Sequence, residues 1–176
     1  MSRFIFRPAS VADRPLIHIW LGLPHVAKWF YGQGLENTKQ HLEAFFQGSS
    51  SSHYWLGFDG ERPIAFLITS SIYKTDDELA HWCSEEGDAM TLDMLIGDTE
   101  YVGRGLAHLL IQNFLISTFP LVAEVLIDPE ATNTRAIRVY QKAGFRTLGE
   151  FIPSHSPHSH LMMRLNMKEL LLENKI

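Results

Sequence analysis

The chain has 176 residues, 45% apolar and 20% charged, enough to build one hydrophobic core and too balanced for a disordered or fibrous polymer. Fifteen Lys and Arg against twenty Asp and Glu leave a formal charge of −5, which opposes loose binding to nucleic-acid backbones and favours cationic partners. A single cysteine, Cys83, excludes an internal disulfide framework and a CxxC motif, and no apolar run reaches the roughly 20 residues of a membrane span.

The opening "MSRFIFRPAS" lacks the apolar core of a signal peptide. The expectation is therefore a single cytoplasmic domain over 1–176, monomer or homodimer, with neither membrane nor nucleic acid as partner. "RFIFRP" alternates and stops at Pro8, which predicts a short first strand. Residues 10–21 read as a helix, with Ser10 and Asp13 spaced as a cap. "GLPHVAKWFYGQG" breaks it and carries Trp29, Phe30 and Tyr31 toward a second helix over 36–46. Residues 53–73 read as a strand pair about the Asp59-Gly60 turn.

The acidic, irregular stretch 74–88 follows, then the strand "AMTLDMLIG" and a helix over 104–117 whose apolar face holds Leu106, Leu109, Leu110 and Phe114. "LVAEVLID" is an apolar strand and 133–144 a helix with Gly144 as its C-cap. "FRTLGEFI" and "HLMMRLNM" close the chain as strands. This mixture predicts an α+β fold, a mostly antiparallel sheet flanked by helices, and not a doubly wound parallel sheet.

"YVGRGLAHLL" places Gly103 and Gly105 between a strand and a helix N-terminus. The free N–H groups of a first helical turn and the helix dipole make such a place suited to a diphosphate, with Arg104 at its rim, although a plain strand-to-helix turn reads the same way. A dinucleotide fingerprint would put a third glycine at His108, and a P-loop would need GK[ST]; neither is present.

Taken with "DPEATNTRAIRVYQKAGF", the pattern resembles the GCN5-related N-acetyltransferase superfamily. Its acetyl-CoA loop corresponds to Val102, Gly105 and Ala107, and its later helix to Asn133, Arg135, Ala136, Tyr140, Lys142, Gly144 and Phe145. Val102 departs from the usual Arg or Gln, which removes one side-chain contact. "PHVAKWF" beside that second segment is similar to the aminoglycoside 6'-N-acetyltransferases and to relatives that acetylate hydroxylamines in siderophore synthesis.

The resemblance implies six to seven strands with about four helices, two strands splayed around acetyl-CoA, and direct transfer of acetyl in a ternary complex, without a metal, to an amine of an aminoglycoside or similar amino sugar or polyamine. It implies that Asp93 takes the amine proton and helps anchor the cation, and that Tyr140 serves the departing sulfur. Backbone groups near Leu95 and Ile96 would hold the thioester oxygen. Val102, Gly103, Arg104, Gly105, Leu106, Ala107 and Asn133 would meet the rest of the cofactor. Trp29, Asp77 and Asp128 would join Asp93 in binding the acceptor.

Plainer readings stand beside these. Asp93 suits the solvent side of an alternating strand, Tyr140 and Trp29 suit the core, Asn133 suits an N-cap, and Asp76 and Asp77 suit a solvated loop. His155, His158 and His160 in "PSHSPHSH" fit a hairpin loop as well as a metal site. This loop has no acid where aminoglycoside enzymes carry one, which counts against an aminoglycoside as acceptor. A hydroxylamine acceptor and a non-catalytic acetyl-CoA-binding module remain the alternatives.

Overall fold

A computed structural model of the chain describes residues 3–73, 75, 78–84 and 86–174. Strand β1 (Phe4–Pro8) leads through a 3-10 turn to α1 (Arg14–Leu21), a short α2 (Pro24–Ala27) and α3 (Gly32–Phe46). Strands β2 (Ser52–Asp59), β3 (Arg62–Ile72) and β4 (Ala89–Ile96) follow, then α4 (Ala107–Thr118), β5 (Glu124–Ile127) and α5 (Thr134–Ala143). The chain closes with β6 (Arg146–Phe151), β7 (His160–Asn166) and α6 (Met167–Glu173).

The strands form one sheet in the order β1-β2-β3-β4-β5-β7-β6, antiparallel everywhere except between β4 and β5. Side chains alternate across it, so two apolar clusters form on opposite faces. On one, Leu92, Phe114, Val125, Tyr140 and Met163 pack with α4 and α5. On the other, Ile17, Trp20, Leu42, Tyr54, Phe66 and Leu95 pack with α1 to α3.

The parallel pairing of β4 with β5 is short and sets up the site. Ala89, Met90 and Thr91 face Glu124, Val125 and Leu126, and there the pairing ends. Beyond it β4 stays with β3 as far as Ile96, while β5 stays with β7 through Ile127 and Met163. Pro129 stays on the β7 side, its carbonyl accepting the Leu161 N–H at 2.9 Å. The expected splay is therefore present, with Asp93 on its β4 arm and Asp128 at the end of the other.

Three local readings differ from the sequence expectation. The helix expected from residue 104 begins at Ala107, because Gly103 and Gly105 have φ of 80° and 70°, outside helical geometry. The helix expected over 36–46 begins at Gly32, with α2 as a separate turn before it. The final strand ends at Asn166, whose side chain caps α6 by accepting the Glu169 N–H at 3.1 Å. Among the described residues, no helix is long and apolar enough to cross a membrane.

Candidate active site

On one side of the splay, β4 runs through Gly97 into a 3-10 turn, Thr99–Tyr101. Asp98 caps that turn by accepting the Glu100 N–H at 3.0 Å, and Arg62 of β3 grips the Asp98 carboxylate with two nitrogens. Tyr101 donates its hydroxyl to Asp59 at 2.9 Å. The β2–β3 hairpin thus fixes the segment that enters Val102–Ala107.

The two nearby helix N-termini differ. Asn133 caps α5, accepting the Ala136 N–H at 3.2 Å, whereas no side chain caps α4. The first-turn amides of α4 are the open ones, and together with the positive φ of Gly103 and Gly105 they form a surface suited to an anion. A cleft of about 360 Å³ runs from Val102, Gly103, Gly105, Leu106 and Ala107 along Leu95 and Ile96 to Asn133 and Tyr140. Arg104 lies outside that lining, its guanidinium 5.4 Å over the Tyr101 ring. Arg135, within the lining and beside Gly103, supplies the positive charge instead.

The backbone of β4 determines what faces the gap. The Gly97 N–H donates to the Ile64 carbonyl of β3 at 3.0 Å. By the two-residue alternation of a strand, Leu95 also turns its N–H to β3, while Met94 and Ile96 turn theirs to the open edge. Of the two amides expected there, Ile96 is the one presented, joined by Met94, and Leu95 contributes its place in the wall. The Ile96 carbonyl accepts His25 Nε2–H at 2.8 Å, which pins α2 to the same edge.

A second cleft of about 240 Å³ opens on the other side, lined by Asp93, Asp128, Glu130, Trp29, His155 and His160 among others. Asp93, Asp128 and Glu130 line it with no Lys or Arg among the described lining residues, so a cation is favoured there. Asp93 can be reached by water from the cleft yet is closely surrounded by protein. That enclosure, with the like charge of Asp128 adding to it and His160 opposing, pushes its carboxyl up to about 7.

Tyr140 is 8% exposed, and burial, reinforced by Asp93 and Asp128, raises its hydroxyl well above the ordinary value. It stays protonated at neutral pH. Trp29, Phe30, Met94, Asn133 and Tyr140 line both clefts, which therefore meet at the splay. Asp128 accepts from His160 Nδ1 at 3.1 Å, and Glu130 accepts the Tyr31 hydroxyl at 2.7 Å.

Asp76 and Asp77 lie outside the described residues. Their neighbour Glu78 accepts the Ser154 N–H at 2.7 Å and its hydroxyl at 2.9 Å, tying the acidic stretch to the loop between β6 and β7. The histidines of that loop part company: His155 and His160 have ring centroids 5.8 Å apart, whereas His158 stands against Tyr31. Among the described residues, no group of His, Cys, Asp and Glu is arranged to hold a metal ion.

The sequence assigns no site role to His25, Tyr31 or Glu130, names Arg135 only within the helix motif and names His160 only as a possible metal ligand. Arg135 stood inside the quoted helix motif and Glu130 two residues beyond Asp128, which were the available signals. The pairings of His25 and His160 carry no local signal, because their partners are a carbonyl 71 positions away and a carboxylate 32 positions away.

The model of an acetyltransferase (GNAT) domain matches residues 10–152. The chain is 30% identical over 152 residues to the lysine N-acyltransferase MbtK of Mycolicibacterium paratuberculosis, covering 84% of this chain and 67% of that one. The crystal structure of an aminoglycoside N(6')-acetyltransferase from Legionella pneumophila superposes with a TM-score of 0.90 at 36% identity, covering 99% of this chain and 98% of that one. AAC(6')-Ib in complex with paromomycin and acetyl-CoA shares the fold, with a TM-score of 0.80 at 20% identity over 98% of each chain.

Proposed function

The chain belongs to the GNAT acetyltransferase domain family, and we propose that it transfers acetyl from acetyl-CoA to an amine of a small polycationic acceptor, an aminoglycoside or a related amino sugar or polyamine. The observation that carries this reading is the meeting of two clefts at the splay, one amide-lined and open to an anion, the other walled by three carboxylates. The relatives support the donor and the acceptor class: one solved neighbour holds acetyl-CoA with paromomycin, and another is an aminoglycoside enzyme.

Acetyl-CoA, when bound, supplies an acetyl group already activated as a thioester. The α4 amides with Gly103 and Gly105 receive the diphosphate, Val102, Leu106 and Ala107 shape that turn, and Arg135 adds charge beside it. Ile96 and Met94 present N–H groups to the thioester oxygen, where negative charge builds as the amine attacks. Asp128 and Glu130 hold the acceptor as an ammonium ion against Trp29. Asp93, ionised above about 7, takes a proton so that nitrogen offers its lone pair. Tyr140 keeps its proton through neutral pH and gives it to the departing sulfur. Asn133 fixes the start of α5 and so the position of Tyr140.

Gly105→Ala tests the donor side. Nothing lies within 4 Å of a Cβ added there, so the only penalty comes from its φ of 70°. A left-handed backbone costs an L-residue about 1–2 kcal/mol, and affinity for acetyl-CoA is expected to fall about tenfold by titration calorimetry. Unchanged affinity would remove the glycine turn from the account.

The acceptor is tested by following thiol release from acetyl-CoA against kanamycin-type aminoglycosides, spermidine, lysine and N6-hydroxylysine. Turnover of the polycations is expected. A second reading is acylation of a hydroxylamine, whose low pKa removes the need for a strong base; the MbtK relative, a lysine N-acyltransferase, favours a lysine-like acceptor for it. Turnover of hydroxylysine alone would establish it. Donor binding without any turnover would make the protein a binding module.

A further inference from the structure

The acceptor cleft contains one contact that the reaction above leaves unused. His160, the first residue of β7, places Nδ1 2.7 Å from the carbonyl oxygen of Asp128 and 3.1 Å from its Oδ2. Both partners are acceptors here, so Nδ1 carries the hydrogen and shares it between them. The backbone holds the two residues in register: the Ala131 N–H donates to the Ser159 carbonyl at 2.8 Å, and the Leu161 N–H to the Pro129 carbonyl at 2.9 Å. The imidazole side chain is only 12% exposed.

Building on the acetyl-transfer reading, we propose that His160 is a positioning residue: its Nδ1–H aims the Asp128 carboxylate into the acceptor cleft, and the ring faces Asp93 across that cleft, so that His160 helps determine how a cationic amine is held and deprotonated.

The charges around the ring bear this out. Asp128 and Glu130 face it from the β5 side, Asp93 from β4 and His155 from the β6–β7 loop. Tyr140 of α5 adjoins the two aspartates, Tyr31 reaches Glu130 from the segment before α3, and Glu150 of β6 binds the neighbouring Ser159. Burial alone would discharge His160, but the Asp128 carboxylate and carbonyl, with Glu130, outweigh it and raise its pKa. The imidazolium in turn draws the Asp93 carboxyl downward. Without it, the like charge of Asp128 would act on Asp93 unopposed, and Asp93 would remain protonated to higher pH.

Two variants separate orientation from charge. His160→Asn retains an N–H donor near the Nδ1 position but cannot be charged, and His160→Ala retains neither. In His160→Asn the acidic limb of the acceptor kcat/KM profile is expected to move up by about half to one pH unit, with the KM for acetyl-CoA unchanged. In His160→Ala the acceptor KM is expected to rise about tenfold as well.

Nitrogen-15 NMR of the full chain supplies a readout independent of turnover. His160 should carry its hydrogen on Nδ1, titrate above the ordinary value of about 6.5, and titrate lower in Asp128→Asn. Wild-type profiles in both variants overturn the proposal, as does a bare Nδ1 or a His160 titration indifferent to Asp128→Asn. A wild-type chain that acetylates no amine sinks the acetyl-transfer reading, and the NMR result then decides the His160–Asp128 coupling separately.

Discussion

Asp93→Asn is expected to lower kcat/KM for the amine acceptor by about 100- to 10,000-fold, the range for removing a positioned general base. The wild-type rate should fall as pH drops through about 7, because only the ionised carboxyl accepts a proton; in the variant that limb should vanish. Stability should move the other way. The folded protein raises this carboxyl above its ordinary 3.8, so ionising Asp93 costs folding free energy, and stability from this source declines as pH climbs from about 4 through 7. An uncharged Asn escapes that cost, and the variant should melt no lower than wild type at pH 8. The gain will be small, because water reaches the group from the cleft. Lost turnover with retained melting temperature identifies a catalytic carboxylate; retained turnover removes Asp93 from the reaction.

The largest effect on folding is expected at Gly97. A Cβ there would lie 1.9 to 2.3 Å from three atoms of the Trp20 indole, and Trp20 is itself only 5% exposed. Neither partner has room to give: Trp20 anchors α1 in the cluster beneath the sheet, and Gly97 is tied to β3 through Ile64. Gly97→Ala is expected to cost about 3 kcal/mol in a urea unfolding midpoint experiment. Because the same few residues carry the Ile96 amide and the turn into α4, acetyl-CoA affinity should fall with it. Pairing the change with Trp20→Leu should restore part of the loss, and purely additive losses would show that the two side chains do not share the space.

Some of this site was legible because its signals are local. Gly103 and Gly105 announced a turn that only glycine adopts freely, and both have positive φ. The same two residues misled the reading of the helix start, since apolar spacing continues back through Leu106 while the backbone does not. The strand reading of "HLMMRLNM" runs one residue too far, into Met167, and α6 beyond it has no reading from the sequence; the side-chain cap at Asn166 divides the two. Tyr140 fits the core reading and the site reading at once: it is nearly buried, yet it lines both clefts.

By itself, then, the sequence determined the elements, the turn that exposes the α4 amides and the family motif, because hydrophobic period, glycine conformation and capping act over a few residues. The tertiary structure decided the chemistry of the acceptor cleft. Inserting β7 between β5 and β6 sets His160 beside Asp128, and the early separation of β4 from β5 brings Asp93 to the same opening. Strand order and the length of a pairing depend on how the whole sheet twists and packs, and no local pattern in the chain encodes them.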